Sequence, residues 1–220
     1  MQVFTGDGEA ETEREDYQRP DFTETTGNKQ LNFLQHVMTI LAENGTAAVV
    51  LPDNVLFESG AGERLRHRLL QDFDFHTMLR LPTGIFYRPG VKANVLFFDR
   101  RPRCDEPWTE ALWVYDLRTN KRFTLKERPL RRADLAEFLT LARLRDRHVR
   151  DQGAQSERWR RFPLADLVAR DRVDLNLRWL QDEKASYPAA LPPPAEIAAE
   201  IADELEAAVT RLRAVAARLR

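Results

Sequence analysis

The sequence predicts an α/β protein: a mixed sheet flanked by helices, ending in one long helix. A stretch of helical periodicity, 28–43, leads within a few residues into a short apolar run, Thr46–Leu51, and the succession repeats with a helix at 63–71 and a strand at 73–81. A helix followed closely by a buried strand is half of an αβ unit. Phe73–Leu81 and Val95–Phe98 have strand composition with no helix between them, so they are expected to pair antiparallel in the same sheet. Residues 195–220 carry a heptad seam after the stiff Leu191-Pro-Pro-Pro194 break.

Asn28 is placed to cap the first helix, with Leu31, Leu34, Val37, Met38 and Leu41 at helical spacing and Asn44-Gly45 as the stop. Thr46–Leu51 is apolar on both faces, the composition of a strand buried within a parallel sheet. Pro52-Asp53-Asn54 follows it directly. Ligands of open α/β sheets sit beyond the carboxyl ends of strands, which makes Asp53 and Asn54 candidate site residues. The alternative is a turn whose side chains bond the backbone. The helix at 63–71 turns Leu65, Leu69 and Leu70 inward and leaves Arg64, Arg66, His67 and Arg68 for solvent or phosphate.

Between the two central strands lies Leu81-Pro-Thr-Gly-Ile-Phe-Tyr-Arg-Pro-Gly-Val-Lys92. Phe86 and Tyr87 beside Arg88 and Lys92 suit stacking on a flat ring with contact to phosphate. Otherwise the loop packs its own aromatics down. Further along, Ala111–Leu117 and Arg122–Leu125 read as an edge hairpin turning at Thr119-Asn120-Lys121. A helix is expected over 131–144 with Leu135, Phe138, Leu139 and Ala142 inward, then a charged loop over 145–158 and a short helix over 163–169. Arg158, Arg160 and Arg161 around Trp159 read as a solvated patch on one buried Trp, or as DNA contacts. In the terminal helix, Ile197, Ile201, Leu205, Leu212, Val215 and Leu219 form a narrow apolar stripe suited to a partner helix.

The 220 residues include 34 basic and 35 acidic side chains, so no global positive field points to nucleic acid; any such role needs a local patch or a partner that supplies phosphate contacts. Cys104 is the single cysteine, so no intrachain disulfide forms. No apolar run reaches membrane-spanning length and no signal peptide pattern opens the chain, which gives a cytoplasmic expectation. Residues 1–27 are acidic and glycine-bearing, the composition of a flexible tail.

Four segments in the same order carry a resemblance: Asn28-Lys-Gln-Leu-Asn-Phe-Leu-Gln-His36, Ala48-Val-Val-Leu-Pro-Asp-Asn-Val-Leu-Phe57, Leu81-Pro-Thr-Gly-Ile-Phe86 and Gly90-Val-Lys-Ala-Asn-Val-Leu-Phe-Phe98. Trp113-Val-Tyr-Asp-Leu-Arg-Thr-Asn120, Trp159-Arg-Arg-Phe162 and the terminal helix continue it. The chain resembles the modification subunit of type I restriction-modification systems, an N6-adenine DNA methyltransferase. The resemblance implies the C-terminal part of a doubly wound, Rossmann-like methyltransferase sheet over 28–128, a helical extension over 129–190 and a subunit-contact helix over 191–220.

In that family S-adenosylmethionine binds at the sheet's switch point, and the target adenine is flipped into a pocket. Neither the Asn-Pro-Pro motif that grips the adenine nor a glycine-rich turn after a buried strand occurs here, which implies that this chain alone neither binds the cofactor nor methylates DNA. The resemblance assigns base stacking to Phe86, followed by Tyr87, and phosphate contact to Arg88 and Lys92, and it leaves Asp53 and Asn54 without a chemical step. Its implied partners are DNA, a specificity subunit docked on the terminal helix, and either a second modification subunit or a separate N-terminal methyltransferase fragment. The alternative reading is a non-catalytic interaction module or remnant that binds a specificity subunit.

Overall fold

The computed structural model describes residues 2–4, 10–12, 19–87, 90–121, 123–144, 146–150 and 156–181. Arg88 and the terminal helix stripe from Ile197 to Leu219 lie outside the described residues. Two short strands, β1 (Gln2–Phe4) and β2 (Ala10–Thr12), pair antiparallel in a sheet of their own. The region read as a flexible tail is thus partly paired. From residue 19 it is also tied to the fold, because the Glu24 N–H donates to Gln35 Oε1 at 2.9 Å and Arg64 reaches the Glu24 carboxylate at 2.6 Å.

Helix α1 (Lys29–Ile40) starts where Asn28 Oδ1 accepts from the N–H groups of Gln30 and Leu31, at 2.9 and 3.3 Å. This side chain satisfies amides that the first turn leaves without carbonyl partners. The main sheet contains β3 (Thr46–Pro52), β4 (Phe73–Arg80), β5 (Ala93–Arg100), β6 (Ala111–Asp116) and β7 (Trp159–Pro163), ordered β3-β5-β4-β6-β7. Only β4 and β6 run parallel; the other three pairings are antiparallel. The expected antiparallel pairing of the two central strands is present, with a register shift between Phe75 and Thr77.

Helices α1 and α2 (Ala61–Asp72) cover one face of the sheet. Leu31, Leu34, Leu65 and Leu69 pack there on Val49, Leu51, Phe75 and Phe98. Truncating any of these leucines to alanine removes about 2–5 kcal/mol of stability. On the other face, α3 (Ala136–Ala142) sets Phe138 and Ala142 against Leu79, Tyr115 and Trp159. A last short helix, α4 (Leu164–Val168), buries Leu167 in the first core. Among the described residues, no helix is long and apolar enough to cross a membrane.

Four expectations are corrected. Thr46–Leu51 is not enclosed within a parallel sheet: β3 is antiparallel to β5, and its side chains alternate between exposed and buried. Among the described residues, Phe123–Leu125 form no strand beside β6. β7 takes the place beside β6 and stacks Trp159 on Trp113 with ring centroids 5.1 Å apart, while Phe123 turns into the interior. Arg66 is not on a solvated face. It is 1% exposed, and its guanidinium donates to the carbonyls of Val55, Val173 and Arg172 at 3.0, 2.9 and 2.7 Å. Leu139 faces outward, because the segment 131–144 divides into a 3-10 turn (Arg132–Leu135) and the shorter α3, which leaves Phe138 and Ala142 as its buried positions.

Candidate functional site

The strands β3, β4 and β6 end at one pole of the sheet, where β5 begins. Arg118, just beyond β6, organises this pole. Its Nη1 and Nη2 grip the Asp53 carboxylate at 2.7 and 2.9 Å. Nε donates to the Leu81 carbonyl at 2.9 Å and Nη2 to the Ala93 carbonyl at 2.8 Å. Leu81 and Ala93 are the two feet of the aromatic loop, so one planar guanidinium fixes both ends of that loop and ties them to β3. Asn94 completes the joint by donating to Asp53 Oδ1 at 2.8 Å. Burial acts to raise the Asp53 carboxyl, but the hydrogen bonds and charge of Arg118 outweigh it and hold its pKa below the ordinary carboxylate value.

A second buried ion pair lies alongside. Arg80 Nη1 donates to Asp116 Oδ2 at 3.1 Å and to the Leu177 carbonyl at 2.6 Å. Asp116 also accepts from the N–H groups of Arg118 and Thr119, at 2.8 and 2.7 Å, and from the Thr119 hydroxyl at 2.8 Å.

Within the loop, Gly84 has φ +84°, and a Cβ there would lie 1.9 Å from the Phe123 carbonyl oxygen. The position therefore requires glycine both for its left-handed backbone and for the close approach of the main chain at Phe123. Ile85 and Phe86 are half-buried against the second core, whereas Tyr87 is 95% exposed. Lys92 is exposed, and its carbonyl accepts from the Asp53 N–H at 3.0 Å. It lines an open cleft of about 540 Å³ together with Asp53, Phe57, Arg172, Asn176 and Arg178. One wall of this cleft is a tight turn in which Arg172 and Val173 both hold left-handed φ, +54° and +49°. Both carbonyls of that pair are the ones Arg66 bonds, so the buried guanidinium holds a turn that side chains of this type disfavour.

The structure thus brings Asp53 and Lys92 together and places them at the root of the aromatic loop. It separates Phe86, which is partly packed down, from Tyr87, which projects. The Asn54 main-chain carbonyl accepts from the N–H groups of Phe57 and Glu58, at 3.2 and 2.9 Å, and its side-chain amide donates to the Glu58 carboxylate at 3.4 Å. Arg118, Arg80, Asp116 and Asn94 are not among the candidate site residues of the sequence, and Arg66 is read there as a surface cation. The one local signal was the charged cluster Asp116-Leu-Arg-Thr119 immediately after a strand. Among the described residues, no group of three or more His, Cys, Asp or Glu is arranged to hold a metal ion.

Residues 3–166 match the family model described as N-6 DNA Methylase. The chain belongs to this family. Among N-6 DNA methylases it is 37% identical, over 88% of its length, to the type I restriction enzyme StySJI methylase subunit of Salmonella typhimurium, and equally to the EcoKI methylase subunit of Escherichia coli. The match covers 42% of each of those proteins, so the chain spans less than half the length of these relatives. The crystal structure of the EcoKI M protein superposes with a TM-score of 0.65 at 36% identity, covering 90% of this chain and 46% of that one. A structure reported for complex assembly and conformational transition of the type I R-M system superposes with a TM-score of 0.61 at 26% identity, covering 91% of this chain and 42% of that one. These neighbours establish the methyltransferase-type α/β fold of the chain.

Proposed function

We propose that these residues are the target-base part of a type I adenine-N6 DNA methyltransferase, acting with a cofactor-binding part that lies outside them. The clamp of Arg118 on both feet of the aromatic loop is the observation that carries this reading. A loop whose ends are pinned to three strands presents Tyr87 and the outer side of Phe86 from a rigid base, which suits stacking on a flipped adenine. Lys92, exposed at the same root, and Arg88, four positions before it in the sequence, would hold the adjoining phosphates. Asp53 and Asn94 are positioning residues that keep Arg118 in place. The stripe from Ile197 to Leu219 serves as the docking surface for a specificity subunit, which supplies sequence readout. A near-zero net charge agrees with DNA contacts being shared with such a subunit.

The strand-end groups of this chain do not fit S-adenosylmethionine. Asp53 is engaged by Arg118 and Asn94, and Asp116 by Arg80, Arg118 and Thr119, so neither carboxylate is open to a ribose. Gly84, the glycine nearest the site, is closed by the Phe123 carbonyl. The cofactor would therefore lie on a part of the enzyme outside these residues, and their contribution is to hold and orient the base.

The test is methyl incorporation into an adenine-containing duplex from labelled S-adenosylmethionine. This chain is assayed alone, and together with the N-terminal part of the EcoKI methylase subunit and a specificity subunit. Incorporation only in the mixture is expected, and Tyr87→Ala should weaken duplex binding there by about 1–3 kcal/mol, the worth of one base–aromatic stack. Incorporation by the chain alone overturns the reading. The absence of an Asn-Pro-Pro motif favours a second reading, a non-catalytic module that binds a specificity subunit. Under it the mixture incorporates nothing while the specificity subunit still binds.

A further inference from the structure

The segment after α4 carries a cation that the aromatic loop does not account for. Val173, Leu175 and Leu177 are buried in the first core, while Arg172, Asp174, Asn176 and Arg178 line the cleft at the root of the loop. This alternation is that of a strand, yet among the described residues 174–179 pair with none. Separate anchors take the place of a ladder. The Leu175 N–H donates to the Leu56 carbonyl at 2.9 Å, Arg80 holds the Leu177 carbonyl at 2.6 Å, and the Trp179 indole N–H donates to the Glu157 carbonyl at 2.7 Å. Arg178 is thus displayed between two fixed neighbours. Bonds also run unbroken from it to Lys92. The Lys92 carbonyl accepts from the Asp53 N–H, and the Asp53 carboxylate is gripped by Arg118. The Arg118 N–H donates to Asp116, Asp116 pairs with Arg80, and Arg80 holds the carbonyl just before Arg178.

We infer that Arg178 pairs with Lys92 to grip one phosphodiester of the DNA strand, at the step adjoining the flipped adenine, with Phe57 against its sugar. The inference rests on the base-stacking reading of the loop. Three observations select this occupant. First, the acids at the cleft are already engaged: Asp53 by Arg118, Asp174 by the Asn176 N–H at 2.7 Å, and Asp171 by Arg172 at 3.6 Å. Lys92 and Arg178 are exposed, and among the described residues no carboxylate pairs with either. The cleft therefore favours an anion. Second, Phe57 lines the same cleft with its ring exposed, which suits a ligand that has an apolar part beside its charge. Third, the cleft shares its root with the loop that presents Tyr87. A base on that loop has turned out about its own backbone, and the flanking phosphate must be held for it to stay out. A guanidinium and an ammonium on one hydrogen-bonded frame hold that phosphate without first being ordered.

The test titrates the full chain into a fluorescent duplex with one unpaired adenine, read by anisotropy between about 50 and about 200 mM salt. Arg178→Ala should weaken binding by about fivefold or more and lower the slope of log affinity against log salt by about 0.9, the counterions of one phosphate. Arg178→Lys should restore most of both, and neither variant should shift thermal unfolding, because the side chain is exposed. Arg103→Ala, beyond the far end of β5, should leave binding unchanged. Methylphosphonate substitution, one linkage at a time, locates the phosphate. One linkage beside the unpaired adenine should weaken wild-type binding when neutralised and have no effect in the Lys92→Ala, Arg178→Ala double variant. Inorganic phosphate at matched ionic strength should not displace the duplex. The inference is overturned if the duplex does not bind, if the slope survives Arg178→Ala, if the double variant keeps the sensitive linkage, or if inorganic phosphate displaces the duplex, which would mark a site for the free anion. A sensitive linkage that persists while Tyr87→Ala binds normally leaves the phosphate grip intact and defeats the base-stacking reading. Weakening by Tyr87→Ala with normal binding by Arg178→Ala does the reverse.

Discussion

At the pole where β3, β4 and β6 end, Arg118 and Arg80 direct much of their hydrogen bonding to main-chain carbonyls: Leu81, Ala93 and Leu177. At the opposite pole the pattern is carboxylate-rich. Arg147 bonds Asp74 at 2.9 Å and Asp99 at 2.6 Å, Arg101 adds a contact to Asp99 at 3.2 Å, and Thr46 donates its hydroxyl to Asp99 at 2.9 Å. His76, at the β4 register shift, sits 3.6 Å from Asp99, yet burial and the charges of Arg147 and Arg150 push its pKa down to about 3, so it is neutral. The first pole fixes the shape of a loop; the second ties the segment after α3 to the sheet. Charge density therefore does not distinguish the pole of the candidate site from the opposite one. What distinguishes it is that the charges hold backbone on either side of an exposed aromatic.

Breaking the first pole should have the largest effect. Arg118→Ala strips a largely buried carboxylate of its partner and releases both feet of the loop, a loss of about 3–5 kcal/mol. Denaturant unfolding followed by circular dichroism measures it, and amide exchange should rise at residues 81–93. A loss below 1 kcal/mol would mean that the clamp does not set the loop. Gly84→Ala forces a Cβ against the Phe123 carbonyl at positive φ, and a loss of about 2–4 kcal/mol is expected in the same assay.

The second pole should show itself through pH. A histidine kept neutral in the folded state contributes stability that is complete above its unfolded pKa near 6.5 and declines as pH falls towards 3, at up to about 1.4 kcal/mol per unit. Asp74 opposes this: burial, only partly offset by Arg147, raises its carboxyl, so stability is gained as pH falls through its window above 3.8. His76→Gln should flatten the wild-type slope between pH 6 and 5, as read by thermal unfolding. An unchanged slope would assign the acid sensitivity elsewhere. Asp53 belongs to a lower window: its depressed pKa confers stability that is lost only below about pH 3.8. The smallest effect is expected at Tyr87. With its ring almost entirely in solvent, Tyr87→Ala should change stability by less than about 0.5 kcal/mol. A larger loss would show that the ring packs into the fold and is not held out for a ligand.

What the sequence made legible was local. Asn28 as a cap, the α1 stripe and the two central strands follow from spacing within a few residues, and the structure contains each of them. The partner of β6 was not legible, because Arg122–Leu125 and Trp159–Pro163 both carry strand composition and only the stacking of Trp113 on Trp159 selects between them. Arg66 reads as surface for the same reason. Two of its three partners are the carbonyls of Val173 and Arg172, more than a hundred positions away, and none of the three carries a charge to betray it. At the site, Asp53, Phe86, Tyr87 and Lys92 were visible as residues, but the guanidinium that relates Asp53 to the loop was not.

Arg118 also bears on the timing of any encounter at this pole. A loop that must fold on its ligand loses conformational freedom along its whole length as it closes, at roughly 1–2 kcal/mol per backbone residue. With Leu81 and Ala93 already held to β3 and β6, that ordering is confined to the crest around Tyr87. An unstacked base would meet a surface whose flanks are set before it arrives, and its dwell time there would depend on the stacking contact itself more than on the rearrangement of its host.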